Sequence, residues 1–137
     1  NLGKRFQARL GALGLAPNSF GLLMATAAYS PDGAQWVDDL CLYLDGNRQV
    51  FDAAVNSVPG LRSMALEATY LAWVDFSDTG LDQATISERT AKRARIAANQ
   101  GPSFGTGGES FQRFNLAMPR AQVAEAADRL RLAFLSN

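Results

Sequence analysis

Two short stretches constrain this chain more than anything else in it. Residues 67–75 read Glu-Ala-Thr-Tyr-Leu-Ala-Trp-Val-Asp, and residues 111–117 read Phe-Gln-Arg-Phe-Asn-Leu-Ala. Both alternate with a period of two and carry aromatic and β-branched side chains, the pattern of strands. On that alternation Gln112, Phe114, Leu116 and Met118 share one face and Phe111, Arg113, Asn115 and Ala117 the other. The first set is the better core face. Arg113 is then a mid-strand arginine on the less apolar side of a sheet.

The rest of the chain supplies helices around these strands. Residues 1–15 have Leu2, Phe6, Leu10 and Leu13 at helical spacing, with Gly14 and Pro17 as stop signals. Asn18-Ser19 caps a second helix over residues 20–29, apolar nearly all round and therefore in need of cover. Ser30-Pro31-Asp32-Gly33 reads as a turn. A long helix follows over residues 34–57, striped by Trp36, Leu40, Leu44, Phe51, Val55 and Val58. Gly46 lies in its interior, at a cost of roughly 1 kcal/mol against alanine. Asn47 falls close to the stripe, where a buried amide needs partners. Pro59-Gly60 ends the helix. Short strands are expected over residues 61–66, 69–76, 95–99 and 110–118. Asp82 caps a short helix running to about Ala94, and Pro119 opens a last helix whose core face is Val123, Ala126, Ala127, Leu130 and Phe134. This order predicts an α+β fold: a small, mostly antiparallel sheet of three to four strands, helices packed on one face, preceded by a long helix.

Composition narrows the function. Among 137 residues, 13 basic and 13 acidic side chains cancel, so no general electrostatic pull toward nucleic acid or a membrane surface is expected. There is no histidine, which removes the commonest general base and the commonest zinc ligand; no metal site is expected. Cys41 is the single cysteine, so no internal disulfide forms, and the totals lean cytoplasmic. No apolar run is long enough to span a bilayer. The chain begins at Asn1 in a charged helical sequence, like a cut through a larger protein, a start that processing would equally give.

Several stretches compete as chemistry. The basic run Arg89, Lys92, Arg93 and Arg95 reads as a solvated helix face. The glycine-rich residues 101–110 precede a strand rather than a helix N-terminus, and read as a hairpin loop rather than a phosphate cradle. Trp36 and Trp73 read as core. Lys4 and Lys92 sit among charged neighbours, and neither reads as a buried reactive amine. Arg113 remains, with two readings. It is a sheet-surface arginine paired with an acid, or its planar fork of donors clamps the carboxylate of a ligand.

Taken in order, Pro17-Asn18-Ser19-Phe20, Ala27-Ala28-Tyr29, Trp36, Leu44-Asp45-Gly46-Asn47-Arg48, Ala68-Thr69-Tyr70-Leu71-Ala72-Trp73-Val74-Asp75-Phe76, Phe104-Gly105 and Arg113-Phe114-Asn115-Leu116-Ala117-Met118-Pro119-Arg120 resemble the C-terminal third of class I/II aminotransferase-family, fold-type-I pyridoxal-phosphate enzymes. Within that family the chain is most similar to cystathionine β-lyase-type C–S lyases, the MalY/PatB group. The resemblance implies an α+β small domain (residues 31–137) over a cofactor cleft, with residues 1–30 packing on a large domain that lies upstream. It implies that Arg113 binds the α-carboxylate of an amino-acid substrate, that Thr69 and Tyr70 lie near the cleft, and that Asn47 belongs to the helix linking the domains. The Schiff-base lysine and the residues that hold pyridoxal 5'-phosphate would lie on the large domain. No catalytic or cofactor-binding residue is therefore expected in this chain, and by itself it should be inactive. The intact enzyme would be a homodimer, catalysing α,β-elimination on a sulfur amino acid. A transaminase on the same scaffold, or a non-catalytic binding domain reusing it, are the competing readings. The sequence departs from the family at Arg89, Thr90 and Lys92, where relatives are more apolar.

Overall fold

The computed structural model describes residues 1–135. The chain divides into two compact units, Asn1–Leu40 and the remainder from Cys41.

The first unit is helical. Helix α1 (Leu2–Ala12) starts where Asn1 Oδ1 accepts from Gly3 N, and α2 (Ser19–Ala28) where Asn18 Oδ1 accepts from Gly21 N at 2.7 Å. Residues 30–33 do not form the free-standing turn expected of Ser-Pro-Asp-Gly. Helix α3 (Pro31–Asn56) begins there, with Ser30 Oγ accepting from Gly33 N at 3.1 Å. A proline supplies no N–H and suits a helix's first turn, so the turn signal is in fact a helix cap. None of the residues of α1 and α2 is buried. Trp36, expected in the core, is 64% exposed, because the start of α3 has no described segment lying over its stripe.

The second unit holds the sheet. Four strands, β1 (Arg62–Ser63), β2 (Leu71–Asp75), β3 (Asn99–Gln100) and β4 (Phe111–Asn115), lie in the order β1-β2-β4-β3, every pair antiparallel. Between β2 and β3 come helix α4 (Gln83–Glu88), capped by Asp82 Oδ1 on Thr85 N, and a wider helical turn over Arg89–Arg93. Helix α5 (Arg120–Leu135) closes the fold. The expected strand over residues 95–99 shrinks to its last residue plus Gln100. Arg95 takes a left-handed conformation (φ 55°), and Ile96 N bonds back to Thr90 O at 3.0 Å, so the backbone is still ending a helix where pairing was expected.

One face of the sheet carries the core. Ala72, Val74 and Phe76 and, from the other strand, Phe114 and Leu116 pack with Phe51 and Val55 of α3, Ile86 of α4, and Val123, Ala127 and Leu130 of α5. Each large apolar side chain buried there contributes about 1.5–3 kcal/mol. Gln112 is fully buried among them and is satisfied: its Oε1 accepts from Thr90 Oγ1 at 2.8 Å and its Nε2 donates to Gln100 Oε1 at 3.1 Å. Thr90 is thus the partner of a buried strand glutamine, which accounts for a polar residue there. Met118, assigned to the core face by alternation, is 37% exposed, because β4 has ended and the chain is turning into α5.

Asn47 fastens this unit. It is wholly buried, and its Nδ2 donates to Leu116 O (2.9 Å) and Met118 O (2.8 Å) just beyond β4. Its Oδ1 accepts from Arg120 Nε at 3.2 Å, while Arg120 Nη2 donates to Tyr43 O at 2.9 Å. Gly46 makes room for that guanidinium: a Cβ there would stand 2.5 Å from Arg120 Nη2. The helix cost of the glycine is offset by this close approach.

Candidate functional site: an arginine on the open face of the sheet

Arg113 sits mid-strand in β4, opposite Trp73 of β2 on one side and Asn99 of β3 on the other. All three project from the face turned away from the core. Trp73 is half-buried there rather than in the core, because the outer face has its own aromatic cluster. It stacks on Phe111 (centroids 5.5 Å apart, planes 13°) and meets Phe104 edge-on (5.4 Å, 84°). The loop after β3 delivers Phe104, and since β3 and β4 pair through it, that loop is the hairpin connection expected.

The arginine's surroundings bear on the first of its two sequence readings, the structural ion pair. Among the described residues no carboxylate lies within 4.0 Å of Arg113. Its Nη2 donates to the neutral Asn99 Oδ1 at 3.1 Å, its guanidinium lies 4.5 Å from the centre of the Phe104 ring, and its Nε is closed off from water without a partner. A sheet-bracing ion pair is therefore not what holds it. A neighbouring pair shows the contrast. Arg62 Nη2 bonds the Asp75 carboxylate at 2.8 Å, and Asp75 also accepts from Ser77 N and Oγ. Burial pushes the Asp75 carboxyl up, yet the Ser77 and Arg62 hydrogen bonds outweigh it and leave it below the usual carboxylate range.

Thr69 and Tyr70 lie elsewhere. They line a hollow of about 200 Å³ with Leu66, Glu67, Asp45 and Arg48, and Arg113 is not among its walls. In the β2–β4 register Leu71 faces Asn115 and Trp73 faces Arg113, so Tyr70 stands ~10 Å along the strand from the arginine. Thr69 has φ 68°, an uncommon backbone for a β-branched residue, with its Oγ1 accepting from Leu71 N at 3.2 Å. Asn99, Phe104 and Trp73 had no site role in the sequence reading. Asn99 was placed in a strand, but which residue it would face depended on a register set across the loop of residues 101–110.

Of the two lysines, Lys4 is exposed on α1 and Lys92 is paired with Glu88 at 3.1 Å on the surface. Neither lines any of the three hollows described in the second unit.

Comparison with known proteins gives the chain relatives. The chain is 33% identical over 131 residues to cystathionine β-lyase PatB of Bacillus subtilis, covering 94% of this chain and 34% of that protein. In three dimensions it overlays cystalysin of Treponema denticola with a TM-score of 0.79 at 28% identity, covering 93% of this chain and 32% of that one. It is also 28% identical over 106 residues to an LL-diaminopimelate aminotransferase of Prochlorococcus marinus, covering 77% of this chain and 26% of that enzyme. The chain is a homologue of cystathionine β-lyases. It fits the C-terminal domain of a class I/II aminotransferase-like C–S lyase, and it spans about a third of the length of the curated relatives it matches. No protein-family model matches it.

Proposed function

We propose that this chain is the substrate-carboxylate-binding domain of a pyridoxal-phosphate-dependent C–S β-lyase, in which Arg113 holds the α-carboxylate of a sulfur amino acid. The observation that carries the reading is the state of Arg113: a half-buried guanidinium on an open sheet face, backed by an aromatic ring, held by a neutral amide, and with no acid beside it among the described residues. A planar fork in that condition suits a carboxylate bidentately. The relatives, cystathionine β-lyases and C–S lyases, supply the reaction class: cleavage of a Cβ–S bond by α,β-elimination. Cystalysin contains pyridoxal phosphate. In the intact protein that cofactor would be held by a larger domain, would provide the electron sink for elimination, and would leave this chain to orient the substrate. Residues 1–30, whose apolar side chains include Phe20, Leu23 and a Tyr29 that is 93% exposed, would pack on that larger domain. A homodimer in the cytoplasm is the assembly proposed with it.

Thr69 and Tyr70 enter the proposal as a separate wall of the cleft rather than as carboxylate ligands, since they line their own hollow. An aminotransferase is the second reading, favoured by the likeness to the diaminopimelate enzyme. Product analysis separates the two: a lyase releases a thiol, pyruvate and ammonia without an acceptor acid, and an aminotransferase passes the amino group to one.

The test of Arg113 is a paired measurement on Arg113→Lys in the full-length protein. Lysine keeps the charge and loses the planar two-bond fit. One charge-assisted hydrogen bond is worth about 1.5–3 kcal/mol, so kcat/KM is expected to fall roughly ten- to a hundredfold. The melting temperature should stay close to wild type, because the side chain braces no ion pair. A loss of several degrees with near-normal kcat/KM would make Arg113 a structural residue.

A further inference from the structure

We propose that Asn99 is a positioning residue for Arg113, and that its being an amide rather than a carboxylate keeps the arginine's charge available to a carboxylate ligand. The inference rests on the reading of Arg113 given above. The antiparallel register of β3 and β4 puts Asn99 directly opposite Arg113. One Nη2 hydrogen goes to Asn99 Oδ1 at 3.1 Å, and the guanidinium carbon lies over the Phe104 ring, 4.5 Å from its centre. Trp73, itself stacked on Phe111, meets Phe104 edge-on, so the ring behind the arginine is braced by an aromatic pair. The Nε is sealed from solvent. What remains for a ligand is the outer end of the fork, the Nη1 hydrogens and the second Nη2 hydrogen, which is the edge a carboxylate takes with two bonds. The amide orients that edge without neutralising it. A carboxylate in place of the amide would sit at the same spot, pair with the arginine and compete for the same donors.

The experiment uses the full-length protein and two probes, an S-alkyl-cysteine and its carboxamide. The readout is the ratio of kcat/KM for the acid to that for the amide. Asn99→Asp is expected to lower the ratio about tenfold, through KM for the acid, since a competing charge costs on the order of one charge-assisted bond. Asn99→Ala, which removes the acceptor and adds no charge, is expected to lower it by a smaller factor, and Asn99→Ser, which keeps an oxygen acceptor, to recover part of that loss. Equal loss on acid and amide would make Asn99 a structural residue and overturn the inference. So would an unchanged ratio in both Asn99→Asp and Asn99→Ala. Arg113→Lys is run alongside. If it leaves the acid preference intact, the reading of Arg113 itself fails. If it abolishes the preference while the Asn99 variants do not touch it, only the role of Asn99 fails.

Discussion

Asn47→Ala is expected to be the most damaging single truncation of a polar side chain in the second unit. The amide is fully buried and makes three hydrogen bonds, donating to Leu116 O and Met118 O and accepting from Arg120 Nε. Truncation leaves the Leu116 carbonyl with only the Met118 N–H at 2.9 Å, and deprives the Met118 carbonyl of its side-chain donor and the Arg120 guanidinium of one acceptor. Three lost hydrogen bonds at about 0.5–1.5 kcal/mol each come to about 1.5–4.5 kcal/mol, a large share of the 5–15 kcal/mol typical of a domain. At roughly 3–4 °C per kcal/mol for a chain of this size, the midpoint of thermal unfolding should drop by about 5–18 °C. Urea denaturation followed by tryptophan fluorescence gives the free energy directly, because Trp73 reports on the sheet. Asp45→Ala serves as the control two residues away: its partners Arg48 and Gln49 are on the surface, and the midpoint should barely move. A shift for Asn47→Ala below about 1 kcal/mol would mean that water reaches both carbonyls once the amide is gone, and the argument from burial would be wrong.

Three further outcomes can be checked. Asp75→Asn should cost about 1.5–3 kcal/mol at neutral pH. Because the folded-state pKa of Asp75 is depressed, that contribution is fully present above its unfolded value, about 3.9, and is lost as pH falls through the folded value, so the difference between variant and wild type should shrink in denaturation series below about pH 4. Thr69→Gly should leave the melting temperature nearly unchanged, since relief of a left-handed backbone worth about 1–2 kcal/mol is offset by the entropy of glycine and by the lost Oγ1 bond to Leu71 N; a fall of many degrees would show that Thr69 is not strained. Mixing the purified chain with pyridoxal phosphate and reducing with borohydride should leave Lys4 and Lys92 without a stoichiometric adduct by peptide mapping, as both are surface amines.

The sheet's two central strands, the facing of β4 and the helix starts at Asn18, Asp82 and Pro119 were legible, because each depends on neighbours within a few residues. Alternation fixed Gln112 and Phe114 as inward and Arg113 and Asn115 as outward, as the structure has them. Asn47 was legible as a buried amide, though its partners lie 69 and 71 residues away along the chain. What failed was what depends on contact. Trp36 and Trp73 are aromatic and correctly spaced for core, but the first has no described cover and the second belongs to an outer-face cluster completed by Phe104. The strand expected over residues 95–99 read well locally and lost to the helix ending at Arg95, a backbone conformation no residue type there announces. The site suffered in the same way. Arg113 was found from its own strand, whereas Asn99 and Phe104 become its neighbours only through the β3–β4 register and the loop between them.

Arg120 shows why the openness of Arg113 carries weight. Both arginines lack an acidic partner among the described residues, and both lie over an aromatic ring, Tyr43 at 4.6 Å for Arg120 and Phe104 at 4.5 Å for Arg113. A count of missing ion pairs would treat them alike. Their donors separate them. Arg120 spends Nε on Asn47 Oδ1 and Nη2 on Tyr43 O, and its backbone N–H goes to Tyr43 Oη at 2.8 Å, so it is tied to α3 from three directions, with Gly46 recessed to admit it. That is a guanidinium used as a structural bolt, joining the start of α5 to the middle of α3. Among the described residues Arg113 makes one hydrogen bond, to a side chain on an edge strand, and no backbone carbonyl takes its other donors. A half-buried guanidinium left with unused donors is costly unless something arrives to use them. The bolt is complete within the described residues, whereas the fork of Arg113 keeps donors to spare, which is the condition the proposed carboxylate-binding role requires.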